Sequence, residues 1–291
     1  MFIDNIQAFL PQYKNFEKEK FLRILSRSNT RDFDPFKFEK DFILTLILIR
    51  FWEQYGDLVF KGGTCLNKVY FPYFRLSEDL DFVLDVDLGR TARKTLLKQY
   101  EESFVIDLAL LGLTLRDERT KFDEYRLAMF IFEYQSAINN SLQTIKIDIS
   151  LKWRLSLSPK SGKIQSIFID NIYEDPVFSQ EHTISCIDLT ESLAEKMRAA
   201  LTRRDPAIRD FFDIWHVREF SDFDFGSDLF RSLVAIKLRE VEYAYTIDDN
   251  REFLQRQILT DLRPILTEDY GFDFQDIYDF VLSHKVTTMQ P

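Results

Sequence analysis

The sequence has few of the residues that build turn-rich, cross-linked or zinc-binding proteins. Among its 291 residues, 8 glycines and 8 prolines argue against a turn-rich all-β protein and against long flexible linkers. Two cysteines, Cys65 and Cys186, cannot form a disulfide framework and suit a reducing cytosol. The histidines are too widely spaced to predict a zinc site: His182, His216 and His284.

Long apolar runs are also absent. The longest run extends from Phe42 to Ile49 and is far shorter than the ~20 residues that a membrane-spanning helix needs. The first ten residues carry one acid, Asp4, and no basic residue, unlike a secretory signal peptide. We therefore expect a cytoplasmic protein with no membrane partner.

Aromatic and acidic residues are abundant. With 29 phenylalanines and 45% hydrophobic residues, the chain can bury a large core. The formal net charge of -10 counts against a protein that coats nucleic acid, although it allows a local basic groove beside a catalytic site.

The predicted elements are a helical lead-in, a mixed α/β core and a helical C-terminal portion. Apolar spacing predicts helices over residues 3–27 and from Pro35 to about Tyr55. We expect two domains, residues 1–188 and 189–291. Strands are predicted at residues 58–60, 79–86, 113–118, 124–134, 142–152 and 163–168, and further helices at 64–70, 90–111, 191–203, 206–219, 226–245, 250–262 and 274–284. A turn is predicted from Pro159 to Gly162.

Residues 60–84, FKGGTCLNKVYFPYFRLSEDLDFVL, hold the strongest chemical pattern. Gly62 and Gly63 follow a predicted strand, and Thr64 is predicted to cap the helix that ends at Tyr70. Freed backbone amides and a hydroxyl at a helix N-terminus make a cradle for phosphate. A glycine pair by itself is more often an ordinary turn.

Three aspartates are candidate metal ligands. Asp79 and Asp81 are two residues apart on a predicted strand, so they point to one face and can hold Mg²⁺ that bridges phosphate oxygens. Two-metal nucleotidyl transfer calls for a third carboxylate. Asp148 shares the polar face of a later predicted strand, 142–152, with Lys146 and Ser150, and would bind a metal or activate an attacking hydroxyl. Each aspartate taken alone is more often a solvated surface residue.

A second cluster lies in residues 193–215, LAEKMRAALTRRDPAIRDFFDIW. Lys196 falls in one predicted helix, and Asp210 and Asp213 lie three apart on the next. Three arginines add positive charge: Arg203, Arg204 and Arg209. The set would hold the phosphates of a nucleoside triphosphate, or it is a pair of amphipathic helices with ordinary surface charges.

The sequence KGGT followed by RLSEDLDF resembles the signature of the AbiEii/AbiGii-type toxin nucleotidyltransferases, in the DNA polymerase β-like nucleotidyltransferase superfamily. That superfamily has hG[GS], a spacer, Dh[DE]h and a further carboxylate on a later strand. The matching residues are Gly62, Gly63, Thr64, Asp79 and Asp81, with Asp148 in the third position. Thr64 stands where serine is common, and the spacer of fourteen residues is toward the long side.

The C-terminal helices resemble the same family, which has E-K in one helix and [KR]-D-x-x-D in the next. The resemblance makes Lys196 a nucleotide-binding or catalytic residue and Asp210 a functional acid, with Asp213 structural. Which of the two acids is functional stays open. Arg209 stands where some relatives carry lysine and is a candidate for nucleotide binding.

The resemblance implies an α+β fold: a polymerase β-like nucleotidyltransferase core with a mixed sheet, an N-terminal helical lead-in, and a C-terminal helical domain forming the other wall of the cleft. It implies Mg²⁺-dependent transfer of NMP from an NTP to an acceptor hydroxyl, with the 3′ end of tRNA as a candidate. The metals would lie at Asp79, Asp81 and Asp148, and Lys61 and Ser77 are further candidates for phosphate contact. It also implies the toxin of a toxin–antitoxin or phage-abortive system, with an antitoxin encoded nearby.

Two other functions stay open. The same fold could transfer a nucleotide to a small molecule or a protein side chain, which the acidic charge favours because it repels tRNA. A non-catalytic nucleotide-binding protein is the third hypothesis. The presence of three carboxylates and Lys196 in one chain argues against it.

Overall fold

The computed structural model contains two compact units, Met1–Ile187 and Asp188–Pro291. The first unit carries a mixed sheet and the second is helical in its described parts, which confirms the predicted α+β fold. The residues that the structure describes are 4–10, 19, 34–71, 73–117, 120–165, 182–241, 247–266, 268 and 270–285.

The sheet of the first unit mixes parallel and antiparallel pairs. Its described strands are β1 Val59–Lys61, β2 Asp79–Val83, β3 Thr114–Leu115, β4 Lys121–Asp123, β5 Leu127–Gln135, β6 Leu142–Ser150, β7 Lys160–Lys163 and β8 Thr183–Cys186. Their spatial order is β3-β5-β6-β2-β1-β8-β7, with β4 paired to β5. Strand β2 runs antiparallel to β1 and parallel to β6, so β2 lies between the strand that precedes the glycine pair and the strand of the third aspartate.

The described helices of the first unit largely match the sequence pattern. They are α1 Ile6–Phe9, α2 Pro35–Gln54, α3 Gly62–Cys65 and α4 Arg90–Leu110, and α3 continues as a π-helix over Leu66–Tyr70. Asp34 caps α2 by accepting a hydrogen bond from the Phe36 N–H at 2.8 Å, as predicted. Most of the predicted 3–27 helix lies outside the described residues.

Aromatic packing fixes which face of the sheet is apolar. Phe51 of α2 stacks on Phe104 of α4 at 4.7 Å and contacts Phe82 of β2 at 5.8 Å. Phe104 also contacts Phe130 of β5 at 5.6 Å. Burying one such side chain contributes roughly 1.5–3 kcal/mol, so these contacts hold α2 and α4 against one face of the sheet. Because strand side chains alternate, the polar residues of β2 and β6 point to the other face.

Strand β7 replaces a predicted turn. Residues 159–162 were predicted as a turn before a strand at 163–168, but Lys160–Lys163 pairs antiparallel with β8. A Cβ at Gly162 would lie 2.3 Å from Val69 Cγ1 and 2.8 Å from Cys186 Sγ. The glycine therefore serves close packing rather than a turn. Strands β4 and β8 were not predicted, and residues 166–168 lie outside the described residues.

The second unit contains the predicted series of helices. Its described α-helices are α5 Leu189–Thr202, α6 Ile208–Phe220, α7 Asp228–Arg239, α8 Arg251–Gln257 and α9 Phe274–Ser283. Lys237 of α7 is buried and lies 2.7 Å from the buried Glu191 of α5, which ties these two helices together. Across the described ranges of both units, every helix is too short or too polar to cross a membrane.

Candidate active site

The pairing of β2 with β6 places three aspartates on one polar face. In the parallel register, Asp79 is opposite Lys146 and Asp81 is opposite Asp148. The residues that alternate with them, such as Leu80 and Phe82, are buried. The two strands thus present the carboxylates side by side, because side chains in register on adjacent strands lie on the same face.

Lys146 lies between two of these carboxylates. Its Nζ is 3.1 Å from Asp79 Oδ2 and 3.2 Å from Asp148 Oδ2. The sequence placed Lys146 on the polar face but assigned it no role. The contact with Asp148 could have been predicted from the sequence, because Lys146 lies two residues before Asp148 and both side chains are therefore on one face of β6.

Burial and neighbouring charges shift the pKa values of this cluster. Burial raises the pKa of Asp148 to about 6; Lys146 opposes the shift, whereas Asp81 and Asp79 add to it. Burial pulls the pKa of Lys146 down, but Asp79 and Asp148 outweigh it and hold that pKa above its usual value. Asp148 is therefore largely ionised at neutral pH. Its Oδ1 atom is buried and accepts no hydrogen bond within the described residues.

The glycine pair lets charged side chains approach the backbone. Gly62 has φ +78°, and a Cβ there would lie 2.2 Å from Asp81 Oδ2. A Cβ on Gly63 would lie 2.5 Å from Nη2 of Arg75, whose side chain is almost fully buried. The two glycines are thus required by the packing of Asp81 and Arg75, in addition to any role in holding phosphate.

Replacing Gly62 by alanine is expected to destabilise the protein by about 1–3 kcal/mol. Alanine is strained at positive φ, and its methyl group would displace the Asp81 carboxylate. The unfolding free energy from urea denaturation measures the effect. Gly56→Ala is the matched control, because no atom lies within 4 Å of its Cβ position. Equal stabilities of the two variants would contradict the prediction.

Thr64 does not cap the helix as predicted. Helix α3 begins at Gly62, so Thr64 is its third residue, and its side chain is fully buried. Its hydroxyl donates a hydrogen bond to the backbone oxygen of Asp79 and lies 2.8 Å from Ser77 Oγ. The hydroxyl thereby ties the glycine loop to the first residue of β2. Lys61 is paired in register with Asp81 across β1 and β2.

Glu78, the residue before β2, connects the start of that strand to α2. Its carboxylate lies 2.8 Å from Lys37 Nζ and 2.9 Å from Lys40 Nζ, both on α2. Burial alone would raise the pKa of Glu78, but the two lysines outweigh it and lower that pKa to about 2. Sequence reasoning missed this contact, because nothing in the local pattern links Glu78 to residues some forty positions upstream.

The second unit brings Lys196 together with both acids of its motif. Lys196 Nζ lies 2.8 Å from Asp210 Oδ1 and 2.9 Å from Asp213 Oδ2. Arg203 binds the other oxygen of Asp210 at 2.8 Å. Asp210 and Asp213 are buried, whereas Arg209 in the first turn of α6 is half-buried. The motif is thus a buried ion-pair network, whatever else it binds.

The carboxylate cluster has the donor atoms that Mg²⁺ prefers. As the side chains stand, no three His, Cys, Asp or Glu residues of the described ranges are arranged to hold a metal ion. The Lys146 ammonium lies between Asp79 and Asp148, the place where a shared cation would bind. Hard oxygen donors and the unpaired Oδ1 of Asp148 nevertheless fit a divalent cation.

A comparison with protein families agrees with this chemistry. The family model described as "Nucleotidyl transferase AbiEii toxin, Type IV TA system" matches residues 52–287. Among solved structures, JHP933 from Helicobacter pylori shares 14% identity over 93% of this chain and 91% of its own, with a TM-score of 0.44. A second H. pylori chain, provisionally described as a nucleotidyltransferase, shares 15% identity over 92% and 94%, with a TM-score of 0.44.

No relative was found among curated proteins. The family match nevertheless covers far more than half of the chain and includes both the strand aspartates and the helical lysine motif. The chain therefore belongs to the AbiEii nucleotidyl transferase toxins of type IV toxin–antitoxin systems, and is a nucleotidyltransferase with an NTP substrate and an antitoxin partner.

Proposed function

We propose that the protein transfers NMP from an NTP to an acceptor hydroxyl in a Mg²⁺-dependent reaction that releases pyrophosphate. The observation that carries the proposal is the position of Asp79, Asp81 and Asp148 on one face of β2 and β6, beside the glycine loop. When bound by these carboxylates, Mg²⁺ would neutralise charge on the triphosphate.

Asp148 is proposed as the group that accepts the proton of the acceptor hydroxyl. Its pKa of about 6 leaves it ionised at neutral pH and still basic enough to take a proton. The unpaired Oδ1 atom supplies a free lone pair for that role. The other oxygen, Oδ2, contacts Lys146 in the metal-free protein.

The glycine loop is proposed to bind the phosphates of the nucleotide. Backbone N–H groups at Gly62 and Gly63 would donate to phosphate oxygens at the start of α3, with Lys61 and Ser77 nearby. Thr64 would act indirectly, through its contacts with Asp79 and Ser77. Nucleotide binding and catalysis by Lys196, Arg209 and Asp210 stay predictions that rest on the family resemblance.

The 3′ end of tRNA is proposed as the acceptor. Radiolabelled NTPs incubated with the protein, Mg²⁺ and total RNA should label a discrete RNA, and pyrophosphate should be released. The Asp79→Ala variant should lose the labelling, whereas Asp87→Ala, on an exposed residue past the end of β2, should keep it. Equal labelling by the wild type and Asp79→Ala would overturn the proposed function.

The net charge of -10 favours a second candidate acceptor, a small molecule or a protein side chain. A negatively charged protein repels RNA unless a local basic surface compensates. Binding to tRNA that weakens steeply between about 50 and 200 mM salt would favour RNA, because phosphate contacts release counterions. The absence of salt-dependent binding, together with label on a small molecule or protein, would favour the second candidate.

A further inference from the structure

The backbone of Lys146 is held in place by the sheet, and its side chain is partly exposed. Strand β6 is paired on one side with β2 and on the other with β5, so the backbone of Lys146 is fixed by two ladders. Its side chain is 30% exposed, between Asp148 at 20% and Asp79 at 38%. A flexible four-carbon stem lets the lysine ammonium swing without any movement of the strand.

The ammonium and a divalent cation would compete for the same oxygens. Lys146 Nζ contacts Oδ2 of Asp79 at 3.1 Å and Oδ2 of Asp148 at 3.2 Å. A Mg²⁺ ion binds oxygen at about 2.0–2.1 Å, so it would have to enter the space beside the ammonium and would be repelled by it. Metal binding through these two oxygens therefore requires Lys146 to leave.

A triphosphate offers the displaced ammonium a new partner. Phosphate oxygens that arrive with the nucleotide carry the negative charge that Lys146 loses on leaving the carboxylates. Exchange of one set of anionic oxygens for another keeps the lysine paired at each stage. The exchange also couples the binding of the metal to the binding of the nucleotide.

We propose that Lys146 is a resident counter-ion that holds divalent cations out of the carboxylate cluster until nucleotide arrives, and then moves to the phosphates. The proposal rests on the proposed function, because it assumes that Asp79 and Asp148 bind metal. It assigns Lys146 a positioning role that couples metal binding to NTP binding.

The test measures metal binding in the absence of nucleotide. Isothermal titration of the NTP-free protein with MnCl₂ should show at least about tenfold tighter binding by Lys146→Met than by the wild type, since a nearby like charge is removed. Lys146→Arg keeps the charge and should stay within about twofold of the wild type. Lys152→Met, on the lysine that follows β6, is the matched control and should also stay unchanged. Lys146→Gln repeats the measurement with a polar side chain if Lys146→Met fails to fold.

A second titration adds the nucleotide. With a non-hydrolysable NTP analogue, Lys146→Met should bind the nucleotide at least about fivefold more weakly, because the phosphates lose a cation. A lysine with only a structural role would not give a higher affinity for Mn²⁺ and a lower affinity for the nucleotide when it is replaced. Mn²⁺ binding by the neutral variants that is no tighter than that of the wild type, including no binding by any of them, overturns the inference. Tighter Mn²⁺ binding by the neutral variants, together with no transfer of label to RNA, protein or small molecule by the wild type, would instead overturn the proposed function.

Discussion

Replacement of Asp148 by asparagine is expected to lower nucleotide transfer by about 10²–10⁴-fold and to stabilise the NTP-free protein. The loss of activity follows from the proposed role, because asparagine cannot accept the proton of the acceptor hydroxyl. The gain in stability follows from the electrostatics of the folded state. A carboxylate that is largely buried beside two others is costly to ionise, and asparagine removes that cost.

The stability gain depends on pH in a defined direction. The pKa of Asp148 rises from 3.8 in the unfolded chain to about 6 in the folded protein, so the folded state favours the protonated form. The stabilising effect of that protonation is fully present below about pH 3.8 and is lost as the pH rises through about 6. At ~1.36 kcal/mol per pKa unit, the wild type is expected to be about 2–3 kcal/mol less stable than the variant above pH 7.

Urea denaturation between pH 4 and pH 8, without divalent cations, measures this difference. The curves of the wild type and Asp148→Asn should diverge as the pH rises and should stay parallel above about pH 7. Asp87→Asn is the matched control, since Asp87 is exposed and its replacement should change stability by less than about 0.5 kcal/mol. A pH-independent difference would show that burial of the Asp148 charge is not its cause.

The local periodicity of the sequence is enough to predict the aspartate face. Residues two apart on a strand share a face, so Asp79 and Asp81 are paired by sequence alone. Their position beside Asp148 required one further step, namely that β2 and β6 are neighbours. The family signature supplied that step, because the period of a strand says nothing about which strand pairs with it.

The contacts that sequence reasoning missed depend on long-range packing. Glu78 is held by Lys37 and Lys40 of α2, which no local pattern connects to it. Gly162 reads as a turn residue, but the packing of Val69 and Cys186 requires its lack of a side chain. In both cases the deciding neighbour is distant along the chain, where propensities and spacing carry no information.

For Thr64 and Lys146, the sequence predicted the segment or the face correctly but not the contacts of the side chain. The sequence identified the loop that contains Thr64, but the helix begins two residues earlier, because Gly62 adopts the first helical position and the threonine turns inward. Lys146 was placed on the polar face without a role. Which carboxylates an ammonium contacts depends on the strand opposite, so the interaction with Asp79 is visible only once the register is known.

Lys196→Met is expected to lower the free energy of unfolding of the second unit by about 3–5 kcal/mol. The substitution removes the ammonium that lies 2.9 Å from Asp213, whose side chain is fully buried. Removing one partner of a buried ion pair is costly, because the remaining charge has been taken out of water. Asp210 keeps its contact with Arg203 at 2.8 Å, so most of the cost is expected at Asp213.

A double variant separates this structural role from nucleotide binding. Asp213→Asn should recover much of the stability of Lys196→Met, because it removes the buried charge that had lost its ammonium. Arg198→Met, in the same helix, is the matched control and should change the urea midpoint little. If Asp213→Asn alone still transfers nucleotide, and the double variant regains its stability but transfers none, Lys196 is needed for the reaction as well as for the fold. If stability and transfer return together, Lys196 serves the fold alone and the nucleotide-binding prediction for it is wrong.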